Sequence, residues 1–247
     1  IGRLVGSEMC IRDRFSSMSK IIAANFKMHG DINFYSSWLK KFELPKHNTV
    51  LFAPPNLYFD CFLKDDRNLL VMSQDVSEEE IGPFTSQISA KMLNEIGVKF
   101  SLVGHSETRD KMGFTNKNVF QKFVSLRANH ITPIICVGES KDHRDGGQHF
   151  GFLEDQLSFY KAESETGLIF AYEPVWSIGS GILPKSSEIF EVVEFIKSYF
   201  GFKIKVLYGG SVNAGNAKDL LRIKNLDGLL VGGASLKAEE FAMIAGS

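Results

Sequence analysis

Leu168-Ile169-Phe170-Ala171-Tyr172-Glu173-Pro174-Val175-Trp176-Ser177-Ile178-Gly179-Ser180-Gly181 changes character near its middle. The first five residues are aliphatic or aromatic without a break, as in a strand buried on both faces of a parallel sheet. An acid, a proline and a glycine-rich tail follow at once. In parallel α/β folds, polar groups just past the carboxyl end of a strand are the ones that build sites.

The same change recurs along the chain. Apolar runs at Ile21–Phe26, Thr49–Ala53, Leu69–Met72, Phe100–Val103, Pro133–Val137, Leu168–Tyr172, Ile204–Leu207 and Gly228–Val231 are separated by longer amphipathic stretches. Between Lys185 and Phe200, Ile189, Phe190, Val193, Ile196 and Phe200 fall at helical spacing with Lys and Glu opposite, so a helix is expected there. Eight alternations without a composition break point to one closed (β/α)8 barrel. An open doubly wound sheet is the competing architecture, which counting runs does not exclude.

The 247 residues are 44% hydrophobic, enough for one large barrel domain. A formal charge of −1 argues against a broad nucleic-acid footprint, so any anionic ligand is small and locally bound. Cys10, Cys61 and Cys136 are odd in number and far apart, matching neither a disulfide framework nor a metal-ligand spacing; a reducing cytosol is the simplest compartment. No apolar run approaches the roughly 18 residues of a membrane span. Residues 1–17 are charged and irregular and lack the apolar segment of a signal peptide. They read as a non-native leader, with Met18 the native start and 18–247 the barrel.

The polar strand ends are Asn25-Phe26-Lys27-Met28 after the first run and Gly104-His105-Ser106-Glu107-Thr108-Arg109 after the fourth. Cys136-Val137-Gly138-Glu139-Ser140 spans the end of the fifth, and Glu173 to Gly181 follows the sixth. Tyr208-Gly209-Gly210-Ser211 and Gly232-Gly233-Ala234-Ser235 follow the last two. Taken singly, each has a bland reading. A glutamate before proline is usually a surface or capping residue, a lysine after a strand an exposed charge, and a glycine pair a turn. His29, His47, His130, His143 and His149 keep such structural readings.

In order and at their proper strand ends, these segments resemble the triosephosphate isomerase family from Lys20 to the C-terminus. The resemblance implies a single (β/α)8 TIM barrel, interconversion of dihydroxyacetone phosphate and D-glyceraldehyde 3-phosphate through an enediolate in glycolysis and gluconeogenesis, and no metal or organic cofactor. It implies Glu173 as the base, moving a proton between adjacent carbons, and His105 as a neutral electrophile at a short helix's positive end. Lys27 is implied as the active-site cation, with Asn25 orienting it and Glu107 in support. Gly179, Ser211, Gly232 and Gly233 match the phosphate cradle, where glycine lets backbone N–H groups approach an anion; Ala234 to Ala245 reads as the helix behind it. Pro174 to Gly181 matches a mobile lid. Cys136 is assigned to packing beside the base and Glu139 to lid support.

The long polar stretch Gln74 to Ser89 resembles the loop by which family members interlock as homodimers, with Thr85 near its tip; a solvated loop is the alternative. The expected partners are therefore the triose phosphate and a second copy in the cytoplasm, with neither nucleic acid nor membrane. Ser86-Gln87 and Thr108 stand where the family commonly carries an acid and a base, so a neutral substitution at the interface is expected. Gly181-Ile182-Leu183-Pro184 departs from the usual polar sequence after the lid. The competing functions are another phosphosugar barrel enzyme, such as a Schiff-base aldolase, and a catalytically silent barrel used as a scaffold or binding protein.

Overall fold

The computed structural model describes residues 19–179 and 181–247. The leader read at 1–17, its boundary at Met18 and the lid residue Ser180 lie outside the described residues. The order of elements is β1 (Ile21–Asn25), α1 (Ile32–Lys41), β2 (Thr49–Ala53), α2 (Phe59–Leu63), β3 (Leu70–Ser73), α3 (Ala90–Glu95), β4 (Phe100–Val103), α4 (Ser106–Met112) and α5 (Asn116–Ala128). Then come β5 (Thr132–Val137), α6 (Lys141–Asp145), α7 (His149–Leu157), β6 (Ile169–Tyr172), α8 (Ser186–Tyr199), β7 (Lys205–Tyr208), α9 (Ala217–Leu221), β8 (Gly228–Val231) and α10 (Ala238–Ala245). Each strand pairs in parallel with the next, and β8 closes on β1 with Ile22 beside Leu229 and Ala24 beside Val231. The barrel is closed, and the open doubly wound alternative falls.

Two apolar layers hold it. Along β1, Ile21 and Ala23 point into the barrel with Leu51, Met72, Phe100, Leu102, Ile134, Ala171 and Leu207. Ile22 and Ala24 point outward into the layer shared with the helices. Burial on both faces explains why the strands read as unbroken apolar runs rather than alternating ones. The outer layer is aromatic near α1: Phe26, Trp38, Phe42, Phe52, Phe62 and Phe241 pack ring against ring, each such side chain worth about 1.5–3 kcal/mol on burial. Asp31 caps α1 by accepting from the Phe34 N–H at 2.8 Å, and Thr115 with Asn118 forms a capping box on α5.

Hydrogen bonding moves some boundaries from those expected. Leu69 and Ile204 are buried but precede their ladders, whereas Ser73 and Tyr208 continue them. One element is corrected outright. The helix expected from Ala234 to Ala245 is two pieces, a 3-10 turn at Gly233–Leu236 and α10, separated by Lys237 in an extended conformation. Ser235 Oγ donates to the Gly232 carbonyl at 2.6 Å and closes the turn locally. Gln74 to Ser89 carries no helix or strand. None of the described helices is long and apolar enough to cross a membrane.

Candidate active site

All eight residues expected to act on substrate, Asn25, Lys27, His105, Glu173, Gly179, Ser211, Gly232 and Gly233, line one cavity of about 230 Å³ at the carboxyl ends of the strands. Such a volume suits a ligand of few atoms. Larger hollows of about 450 and 440 Å³ lie elsewhere, away from these groups.

At the end of β1 the chain bends sharply. Lys27 has φ 53°, a left-handed backbone that costs a residue with a Cβ about 1–2 kcal/mol. Neighbours hold it there: the Lys27 N–H donates to Asn25 Oδ1 at 3.0 Å, and Gln74 Nε2 donates to the carbonyls of Lys27 and Ala53, both at 2.8 Å. The strained turn aims the ammonium across the barrel mouth, where Nζ meets Glu107 Oε1 at 2.6 Å. Burial by itself pushes the Glu107 carboxyl up, but the hydrogen bond and charge of Lys27 outweigh it and hold the group below its ordinary value. A Cβ on Gly232 would lie 3.5 Å from Lys27 Cε, so the lysine passes beside the glycine that follows β8.

His105 precedes α4 as its N-cap. Its Nδ1 accepts from the Glu107 N–H at 3.2 Å, so the ring proton resides on Nε2, the nitrogen facing the cavity. Nε2 lies 3.1 Å from Glu173 Oε1. The alignment is not that of a hydrogen bond, and Oε1 is a buried carboxylate oxygen without a hydrogen-bond partner. Its twin, Oε2, accepts from the Ser106 N–H at 3.0 Å. Behind Glu173, Cys136 is almost wholly buried; burial first and the Glu173 charge second push its thiol well up, keeping it protonated. Gly138 is required where it stands, because a Cβ there would collide with the Glu173 backbone carbonyl.

Glu139, fully buried, receives the Tyr172 hydroxyl and Trp176 Nε1 on one oxygen, each at 3.1 Å. It therefore links the segment at Trp176 to the end of β6. Among the described residues, no group of three or more His, Cys, Asp or Glu could hold a metal ion.

Two supporting residues escaped the sequence reading of roles. Gln74 holds the Lys27 turn, and its only signal was a polar residue directly after β3. Arg109 donates to the carbonyls of Gly104 and Cys136 and to Asn116 Oδ1, joining the ends of β4 and β5. Its guanidinium is mostly buried, a role that charge alone does not advertise.

The comparisons with known proteins agree with this geometry. A family model described as triosephosphate isomerase matches residues 20–247. The chain is 36% identical over 244 residues to a triosephosphate isomerase of Buchnera aphidicola, covering 91% of this chain and 96% of that protein. It is 38% identical over 234 residues to one from Neurospora crassa, covering 88% and 94%. With one from Aquifex aeolicus it shares 37% identity over 243 residues, covering 92% and 98%. Family match, relatives and site geometry meet in one conclusion: the chain belongs to the triosephosphate isomerase family.

Proposed function

We propose that this protein interconverts dihydroxyacetone phosphate and D-glyceraldehyde 3-phosphate, as part of glycolysis and gluconeogenesis in the cytoplasm. The observation that carries the reading is the cavity lined together by Lys27, His105 and Glu173 and by Gly179, Ser211, Gly232 and Gly233, in which Glu173 Oε1, buried and without a hydrogen-bond partner, lies 3.1 Å from His105 Nε2.

Glu173 Oε1 removes a proton from the carbon beside the carbonyl, and the electron pair moves onto the carbonyl oxygen. His105 Nε2–H donates to that oxygen, and the Lys27 charge stabilises the enediolate as it develops. The hydroxyl proton of the first carbon's oxygen passes to the newly anionic oxygen by way of His105, and the proton held by Glu173 adds to the former carbonyl carbon, so a new carbonyl forms on the first carbon and no redox partner or external base is consumed. Gly179, Ser211, Gly232 and Gly233 bind the phosphate through backbone N–H groups, with the 3-10 turn at Gly233–Leu236 behind them. Asn25 and Glu107 orient Lys27, and Cys136 packs under the base. A positioned base contributes roughly 10²–10⁴-fold.

An aldolase reading would need Lys27 as a free amine, whereas its Nζ is engaged with a carboxylate; borohydride trapping of substrate on Lys27 would reinstate it. A coupled assay of the purified protein with glyceraldehyde 3-phosphate and no added metal tests the main reading. Absence of turnover would favour a silent barrel. Catalysis is proposed to rest on residues 18–247, so removing 1–17 should leave kcat and melting temperature unchanged.

The working form is proposed to be a homodimer joined through the Gln74 to Ser89 loop. Ile81 at 85% exposure and Phe84 at 37% are apolar groups presented by that loop, and Leu57 and Met112 are exposed as well.

A further inference from the structure

Ser177 lies in the first arm of the lid and is fully buried. Its hydroxyl is a junction of three segments. Oγ donates to the Ile182 carbonyl at 2.8 Å, joining the lid's first arm to its second across five residues. The Tyr208 hydroxyl at the end of β7 lies 3.4 Å away, and the Ser211 N–H reaches Oγ over a long 3.5 Å. The Ser211 hydroxyl meanwhile donates to the Ser177 carbonyl at 2.6 Å. The neighbouring Gly210 is obligatory for this junction, since a Cβ there would collide with the Tyr208 hydroxyl and crowd Ser177 Oγ. The second arm runs Ile182-Leu183-Pro184, where two side chains are exposed, 52% and 44%, and the proline has no N–H.

We infer that Ser177 is a positioning residue whose hydroxyl ties the two arms of the lid together and seats them against the end of β7, so that the Gly179 N–H is presented to the phosphate in a fixed place. The inference rests on the phosphate-binding reading of Gly179 and Ser211. Its physical basis is preorganisation: a donor that must first be ordered binds more weakly and covers the intermediate less well.

The test compares wild type, Ser177→Ala, which removes the hydroxyl, and Ser177→Cys, which keeps similar volume with a weak donor. In both variants inorganic phosphate, read as a competitive inhibitor, should bind about two- to ten-fold more weakly, the range of one net hydrogen bond. The fraction of triose phosphate lost as methylglyoxal should rise by a similar factor, because the lid no longer closes as one piece. In protein labelled with 5-fluorotryptophan and free of phosphate, the Trp176 fluorine signal should shift and broaden while that of Trp38 stays put. Unchanged phosphate affinity and product ratio in Ser177→Ala, or wild-type behaviour of Ser177→Cys, would overturn the inference, the latter by assigning the role to volume. Failure of phosphate to compete in the wild type would sink the phosphate reading instead. The Trp176 signal would then still judge the tie: a line in Ser177→Ala identical to wild type overturns it.

Discussion

Glu173 combines burial, one backbone hydrogen bond and one carboxylate oxygen left without a partner. A structural carboxylate in such a place would have both oxygens satisfied, because an unpaired buried acceptor costs about 1–3 kcal/mol. The cost is intelligible if a substrate proton completes the set. Glu173→Gln should therefore lower kcat by at least about 10²-fold while phosphate inhibition is retained; near-normal turnover would remove Glu173 from the role of base. Lys27 and Glu107 show the opposite case, two charges that satisfy each other. With its folded value held below the ordinary one, Glu107 contributes stability that is present above that ordinary value and lost as pH falls through the lower one. Lys27→Met removes the cation and with it this contribution, so the melting temperature should fall near pH 7, the acid-side loss should become shallower, and the two curves should converge at the acid end. A melting series from about pH 7 to pH 3 reads the shift, and superimposable curves would show that the pair contributes nothing to acid stability.

At the scale of elements, what matters is how strand ends meet. The Glu173 N–H donates to the Val137 carbonyl at 2.8 Å, and Gly138 leaves room for the Glu173 carbonyl. Gly138→Ala should drive β5 and β6 apart at their carboxyl ends, lowering melting temperature and kcat together; a fully active variant of unchanged melting temperature would mean the strands yield without moving the base. His105 depends on its element in another way, since its tautomer follows from the Glu107 N–H at the start of α4. His105→Gln should slow turnover by weakening carbonyl polarisation, with KM changed far less than kcat. An effect confined to KM would make His105 a binding residue. The existence and type of these elements were readable, because a strand buried on both faces is an apolar run and an amphipathic helix is a stripe. The break at Lys237 was not, because Ala234 to Ala245 is periodic enough for one helix, and a turn closed by Ser235 on Gly232 decided otherwise.

For the whole molecule, the Gln74 to Ser89 loop carries the exposed apolar groups Ile81 and Phe84, on which the homodimer proposal rests. Replacing Phe84 and Thr85 with aspartate should convert the protein to monomers in sedimentation and reduce activity with the same concentration dependence; a fully active monomer would defeat the interlocking reading. Much about this protein was legible from the chain alone. Eight apolar runs, the polar residues after them and the motifs at Asn25, His105, Glu173, Ser211 and Gly232 determined the barrel, the family and the occupants of the site, because burial pattern and residue chemistry are local properties. Tertiary structure alone decided how those residues are held. Closure of β8 on β1 brings Gly232 beside Lys27 across some two hundred residues. Gln74 supports a strained lysine turn from another strand, and Ser177 finds partners at Ile182, Tyr208 and Ser211. Contacts of this kind depend on distances in space between groups far apart in sequence, and periodicity carries no record of them.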